Sequence, residues 1–386
     1  MLTCQRHLFS LPDDVSYLNC AYMGPLPESV ELAGYQGIAR KTLPYEISRA
    51  DFFEPVAELR RLFARLILLD NPEQVAVVPS VSYGIANVVK NVKIAPGQKV
   101  VTIEEVFPSN FYAWKRLADE HGAQVQLVQP PSEMTGRGKI WNQRILEAIN
   151  KQTVAVALPQ VHWTDGTLFN LAEIRRRTRE VGALLIIDGT QSVGAYPFNF
   201  SEIEPDALIV AGYKWLLGPY GFGLAYFGDY FNDGVPIEEN WINRLYSDRF
   251  ENLVNYQPVY RPGAQRYGVG ESSQFVSVSM LTAAINLILG WGVENIQNYC
   301  RYLSQPYVEE LVALGFQVEN VQDRGGHLFG IRLPERAHKE LLQKEAAARQ
   351  VYVSFRGDAV RISPHLYNDS RDMEKLVEIF KACLRA

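Results

Sequence analysis

No stretch of this 386-residue chain comes near the ~20 consecutive apolar residues of a membrane span, so a membrane protein is not expected. Residues 1–14 contain Asp13 and Asp14 and no long apolar core, and do not read as a signal peptide. Clustered positive charge is also missing. The formal net charge is −5, and the best basic run, RRRTR at Arg175–Arg179, sits in a helical stretch from Leu171 to Val181 where a solvated face accounts for it. Nucleic acid is therefore not an expected partner. Cysteine is scarce: the four residues, at positions 4, 20, 300 and 383, have neither metal-ligand nor redox spacing, so no metal is expected, and a reducing, cytoplasmic setting is. The Asn368-Asp-Ser triplet is a formal glycosylation site of the kind that arises by chance in a chain this long. Repeats and low-complexity segments are absent.

What is present is an alternation of short apolar runs with helical periods. QVAVVPS, KVVTIEEV, AQVQLVQP, TVAVALPQV, ALLIID and DALIVAG read as strands, with GFGLAYF a further edge or antiparallel one. Helices are expected over 51–69, from near Gly84, and over 109–121, 141–150 and 171–181. Strands alternating with helices imply an α/β fold with a mainly parallel sheet covered on both faces. The Asn-, Asp-, Tyr- and Pro-rich stretch 229–262 has weak periodicity and reads as a functional excursion. Helices over 275–293 and 296–314 follow, then strands in GFQVENV, GGHLFGIRL and VYVSFRG and helices over 335–349 and 369–384. The boundaries drawn are an N-terminal segment, 1–15, packing with the small domain, a large α/β domain, 16–262, and a smaller C-terminal α+β domain, 263–386.

The chemistry is concentrated in LLIIDGTQSVGAYPFNFSEIEPDALIVAGYKWLLGPYGFG, residues 184–223. Asp188 ends one apolar run and Lys214 follows the next, and groups at strand ends share a crevice in open α/β sheets. Separately, the two have ordinary roles, a turn cap and a solvated cation. Tyr213, Trp215 and the glycines and prolines after Lys214 make a poor setting for a solvated side chain. A carboxylate and an amine converging in an apolar cleft suggest a carbonyl cofactor held as a Schiff base. The lysine would form the imine, and the aspartate would keep the pyridine nitrogen of pyridoxal 5'-phosphate protonated.

LIIDGTQSVG, AGYKWLLGPYG and RISPHLYN give the chain, over nearly its full length, a resemblance to the class V aminotransferase family of fold-type I pyridoxal-phosphate enzymes. The resemblance implies a seven-stranded, mainly parallel sheet, with Lys214 carrying the cofactor, Asp188 on its ring nitrogen and Gln191 on its phenolic oxygen. Ser82 and Tyr83 fall on the phosphate loop, where a helix N-terminus supplies N–H donors. The family usually has Thr where Tyr83 stands, so the backbone is the stronger donor. Tyr213 occupies a phosphate-contacting place, His in many desulfurases and Tyr in kynureninases. Phe107 matches the ring-stacking position, with Pro108 the alternative on a one-residue slip, and Asn110 replaces the Asp of the kynureninase pattern Phe-Pro-Ser-Asp. Trp163 stands where the family often has Asn. His162, Trp163 and Asp165 all remain open as substrate-facing groups, His162 as a second acid/base or as a structural histidine. Arg361 matches the substrate-carboxylate arginine, with Arg356 a competitor. Gly270 and Glu271 align with a segment that reaches the other subunit's phosphate, which implies a homodimer with composite sites. Many members have Gly-Thr there, so Glu271 would offer only its N–H.

Transamination of a small amino acid with a 2-oxo acid is the expected reaction, with Lys214 moving the proton at Cα. A C–S lyase, a kynureninase-like hydrolase, an epimerase and a non-catalytic protein on this scaffold are the alternatives. Desulfurases need a cysteine shortly before the carboxylate arginine, and none lies between Gly325 and Arg361.

Overall fold

The computed structural model describes residues 2–357 and 359–384. A two-residue strand, β1 (Ser16–Tyr17), precedes helices α1 (Glu28–Arg40) and α2 (Glu54–Leu66). Seven strands then form one sheet: β2 (Val75–Val78), β3 (Lys99–Ile103), β4 (Gln124–Val128), β5 (Thr153–Pro159), β6 (Leu184–Asp188), β7 (Ala207–Ala211) and β8 (Gly223–Phe227). Their order is β2-β8-β7-β6-β5-β3-β4, and only β8 runs against the rest. GFGLAYF is thus antiparallel but interior, lying between β7 and β2 rather than at an edge.

Alternate residues serve opposite faces. Val101, Leu158, Leu185, Ile187, Leu208 and Val210 enter one apolar layer, and Val100, Ala157, Ile186, Ile209 and Ala225 the other. Burial on both faces explains the unbroken apolar runs in the sequence. Helices α3 (Val81–Asn91), α4 (Ser109–His121), α5 (Arg137–Ala148), α6 (Leu171–Val181) and α7 (Phe200–Ile203) fill the connections.

Helix α8 (Phe275–Trp291) packs on α1 and α2, and α9 (Val293–Ala313) leads into the C-terminal part. No single helix among the described residues is long and apolar enough to cross a membrane. Strands β9 (Phe329–Arg332), β10 (Val351–Tyr352), β11 (Ser354–Arg356) and β12 (Ala359–Ile362) are accompanied by α10 (Lys339–Ala348) and α11 (Ser370–Ala382). GFQVENV makes only an isolated bridge, Gln317 to Arg332, because Glu319 turns to accept the Gly136 and Gly138 N–H groups at 2.8 Å each. The run VYVSFRG is divided, β10 pairing with β1 and β11 with β12.

One segment ties the parts together. Cys20 N–H donates to Ser363 O (3.1 Å), Ser363 N–H to Leu18 O (2.9 Å), and Gly24 N–H to Tyr213 O (2.9 Å). A Cβ on Gly24 would collide with the Lys214 carbonyl oxygen. Gly24→Ala is therefore expected to displace the lysine turn and to lower stability by about 1–3 kcal/mol, the usual cost of overpacking, read as a shift in the urea midpoint at unchanged slope.

Candidate active site

The C-terminal ends of β2, β3, β5, β6 and β7 gather at one edge of the sheet, and the strand order reverses between β5 and β3, where such sheets bind ligands. A cavity of about 280 Å³ opens there. Its walls take Ser80 from the turn after β2, Ser82 from the first turn of α3, Phe107 and Asn110 from beyond β3, and Trp163 from beyond β5. Asp188, Gln191, Tyr213 and Lys214 complete it. They come from five different strand ends, so the parallel sheet, rather than any single local motif, brings them together.

Lys214 is 7% exposed, with Nζ 5.6 Å from the centres of both the Phe107 and Tyr213 rings. Burial pulls its pKa down to about 8, Asp188 opposes the shift, and Arg361 and Arg356 add to it. Asp188 accepts hydrogen bonds from Asn110 Nδ2 (2.6 Å) and Thr190 N–H (2.9 Å). Burial, then Tyr220 and Asp188, raise the Tyr213 phenol, keeping it protonated at neutral pH. Gln191 lines the wall with its amide engaged, accepting from Trp215 Nε1 (2.9 Å) and donating to Ala21 O (3.2 Å).

Past Lys214, a second chamber of about 410 Å³ shares Phe107, Trp163, Tyr213 and Lys214 with the first and adds Tyr22, Arg356 and Arg361. Arg361 is 1% exposed. Its Nη1 donates to Trp163 O (2.9 Å), its Nη2 reaches Ser354 Oγ at 3.5 Å, and its Nε has no partner. Phe107 packs edge-on against Trp163, with ring centres 5.5 Å apart.

Several expectations need correction. His162 lies outside both chambers, fully buried, its ring held by Asp165 Oδ1 (3.1 Å), Thr164 Oγ1 (2.9 Å) and Glu105 O (3.3 Å). Asp165 in turn pairs with Arg137 at 3.1 Å. His162 and Asp165 are thus committed to the core, and only Trp163 of that trio faces the cavity. Helix α3 starts at Val81, three residues earlier than expected, capped by Ser80, whose Oγ accepts Tyr83 N–H (3.1 Å) and lies 2.9 Å from Ser82 Oγ. Tyr83 consequently sits in the first turn with its hydroxyl on Glu238 (3.1 Å), away from the cavity. No correction applies to Gly270 and Glu271, which were expected at a second subunit's phosphate and lie in a groove with Gly37, Ile38, Trp241 and Phe275. Sequence reasoning missed the Asn110–Asp188 bond, which spans 78 residues, and the places of Tyr22 and Tyr220 on the walls.

The class-V aminotransferase profile matches residues 48–376. The chain belongs to that family. Among curated relatives, this class-V enzyme is 26% identical over 325 residues to an uncharacterised aminotransferase of Bacillus subtilis, covering 83% of this chain and 81% of that one. It is 28% identical over 321 residues to a kynureninase of Cryptococcus neoformans, covering 74% and 69%. Among solved structures, the cystine C–S lyase C-DES superposes with a TM-score of 0.82 at 20% identity, covering 95% and 97%. A cysteine desulfurase of Thermococcus onnurineus gives 0.81 at 19% identity, covering 99% of each chain. These superpositions establish the fold-type I architecture.

The cavity suits the pyridoxal phosphate that the family uses. A lysine of depressed pKa, a fixed carboxylate and the first turn of α3, whose leading N–H groups have no intrahelical partner, line one space. Asn110 Oδ1 is buried without a partner beside Asp188. A lowered pKa makes the neutral, nucleophilic amine the major form above about 8 rather than above 10.5. Pyridoxal phosphate followed by borohydride is therefore expected to leave its pyridoxyl group on Lys214, with a labelling rate that rises through a midpoint near 8. Mapping to another lysine, or a midpoint near 10.5, would refute the assignment.

Proposed function

We propose that this class-V enzyme cleaves or rearranges an α-amino acid held by its carboxylate on Arg361, as a C–S or C–C lyase, hydrolase or epimerase, rather than transaminating it. The observation that carries this reading is the shared chamber, with the amine of Lys214 and the guanidinium of Arg361 both on its walls. Pyridoxal phosphate, when bound, supplies the electron sink for charge developing at the α-carbon. Lys214 takes the proton from Cα and returns it, its pKa near 8 suiting both directions at neutral pH. Asp188 would face the ring nitrogen, its orientation set by Asn110 and Thr190. Ser82 and the first-turn N–H groups of α3 would hold the phosphate, with Tyr213 beside them, Gln191 near the phenolic oxygen and Phe107 over the ring.

The preference over transamination has two supports. Relatives that carry an assigned activity include a kynureninase, cysteine desulfurases and an isopenicillin N epimerase. Tyr22 and Tyr220 place two phenols on the substrate chamber, proton donors for a leaving side chain that transamination does not require. Persulfide chemistry is disfavoured here. Cys20, the cysteine nearest the site, is fully buried with its thiol pushed up to about 12 by burial, its Sγ 4.0 Å from Lys214 O. Incubation with a panel of L- and D-amino acids is expected to give continuous turnover with no keto acid added. Turnover that stops after one half-reaction and resumes only with a 2-oxo acid would restore transamination.

We also propose a homodimer. Gly270 and Glu271 lie beside α1, whose Leu32, Tyr35 and Ile38 are exposed apolar groups, a face suited to a second copy that would receive this segment. Sedimentation is expected to give a dimer, and a monomer that retains cofactor would exclude composite sites. The reducing, cytoplasmic setting remains part of the same reading.

A further inference from the structure

The hairpin of β11 and β12 puts two guanidiniums on one face. Ser354 pairs with Arg361 and Arg356 with Ala359, and cross-strand partners point to the same side of a sheet, so Arg356 and Arg361 are diagonal neighbours. Such positions stand about 7–8 Å apart, with tips that converge or diverge as the side chains allow. Both line the chamber beyond Lys214. Neither has a carboxylate partner among the described residues. Arg356 Nη1 donates to Phe355 O (2.8 Å), its Nε is buried without a partner, and its guanidinium lies 5.7 Å from the Trp163 ring. Arg361 likewise keeps an unpartnered Nε.

Two like charges in one partly buried chamber repel each other, and Arg356 makes the Arg361 guanidinium harder to keep charged, as burial already does. Arginine stays protonated nonetheless, so the repulsion is relieved only by anions. A single α-carboxylate engages one guanidinium fork fully. The second is then left with a buried, unpartnered Nε and no counter-charge, an arrangement that costs stability unless a ligand supplies the anion.

We propose that Arg356 and Arg361 form a two-point anion clamp, so that the substrate is an amino acid whose side chain carries a second acidic group, its α-carboxylate on Arg361 and its side-chain anion on Arg356. The inference rests on the reading of this chamber as the amino-acid site. Arg361 takes the α-carboxylate because it is the more buried of the two and is anchored to Trp163 O and Ser354. Arg356, half-buried and held by a single backbone acceptor, is the specificity-determining residue. The Trp163 ring lies 5.7 Å from its guanidinium carbon and adds a cation–π contact.

The test is equilibrium binding of succinate and of propionate to the purified protein, the Arg356→Gln, Arg356→Lys and Arg361→Gln variants included. The wild type is expected to prefer succinate by roughly 10–100-fold, the range for one added charge-assisted contact. Arg356→Gln should cost succinate far more affinity than propionate, bringing the two close together, and Arg356→Lys should recover part of the preference. Arg361→Gln should weaken both ligands. In turnover, Arg356→Gln should lower kcat/KM for acidic amino acids by a much larger factor than for neutral ones. Equal loss of both ligands in Arg356→Gln would mean that both guanidiniums grip one carboxylate, and it overturns the clamp. Absence of a succinate preference in the wild type overturns it too. If the clamp holds but borohydride labels no Lys214, the amino-acid reading fails alone; if Lys214 is labelled and the preference is missing, the clamp fails alone.

Discussion

A buried amine needs a backbone that cannot retreat, and the turn that presents Lys214 is held on every side. Gly212 N–H donates to Phe222 O (2.9 Å), Gly218 N–H to Gly212 O (2.8 Å) and Leu217 N–H to Lys214 O (3.1 Å). Leu217 has a φ of 51°, left-handed for a branched side chain, and is fully buried. Strain of that kind costs of order 1–3 kcal/mol and persists only where the surroundings over-determine the conformation. Here the fixed turn forces the amine into an apolar cleft and so lowers its pKa. Reactivity is thus obtained from packing energy stored elsewhere in the sheet.

The carboxylate opposite does not neutralise this effect. Asp188 already accepts from Asn110 and Thr190, which fix the orientation of its carboxylate. Its pull on Lys214 is real, yet burial and the two arginines outweigh it. The site therefore holds an aspartate fixed in orientation at one end and a lysine easily discharged in the middle. Tyr213, kept protonated by burial and by Asp188, adds a phenol to the same wall without adding charge.

The sequence was most legible where function follows from strand position. Asp188 and Lys214 follow two apolar runs, β6 and β7 pair directly with Asp188 opposite Ile209, and no remote contact is needed to predict that the two residues share an edge. Legibility failed where a side chain chooses between faces of a loop. His162 and Trp163 are adjacent, and their opposite fates depend on Asp165, Arg137 and the carbonyl of Glu105, a residue at φ 60°. Tyr83 was drawn off by Glu238, 155 residues away. The interior place of β8 was hidden for a related reason, since burial on both faces gives an edge-less strand the same apolar run whichever direction it takes.

The N-terminal segment explains why the two ends of the chamber keep a fixed spacing. Residues 18–24 exchange hydrogen bonds with Ser363, two residues beyond Arg361, and Ala21 N–H also donates to Ser363 Oγ (3.0 Å). The same segment binds Gln191 through Ala21 O and the lysine turn through Gly24. Arg361 lies in β12 and Lys214 in the turn after β7, far apart in sequence, yet a single stretch of seven residues contacts the backbone at or beside each. Backbone hydrogen bonds at both ends restrain relative sliding far better than side-chain contacts, because main-chain groups have no rotamers to lose. A substrate held by its carboxylate at Arg361 would then present Cα to Lys214 at a distance set by extended main chain, and the positioning that such catalysis requires is already present in the folded protein.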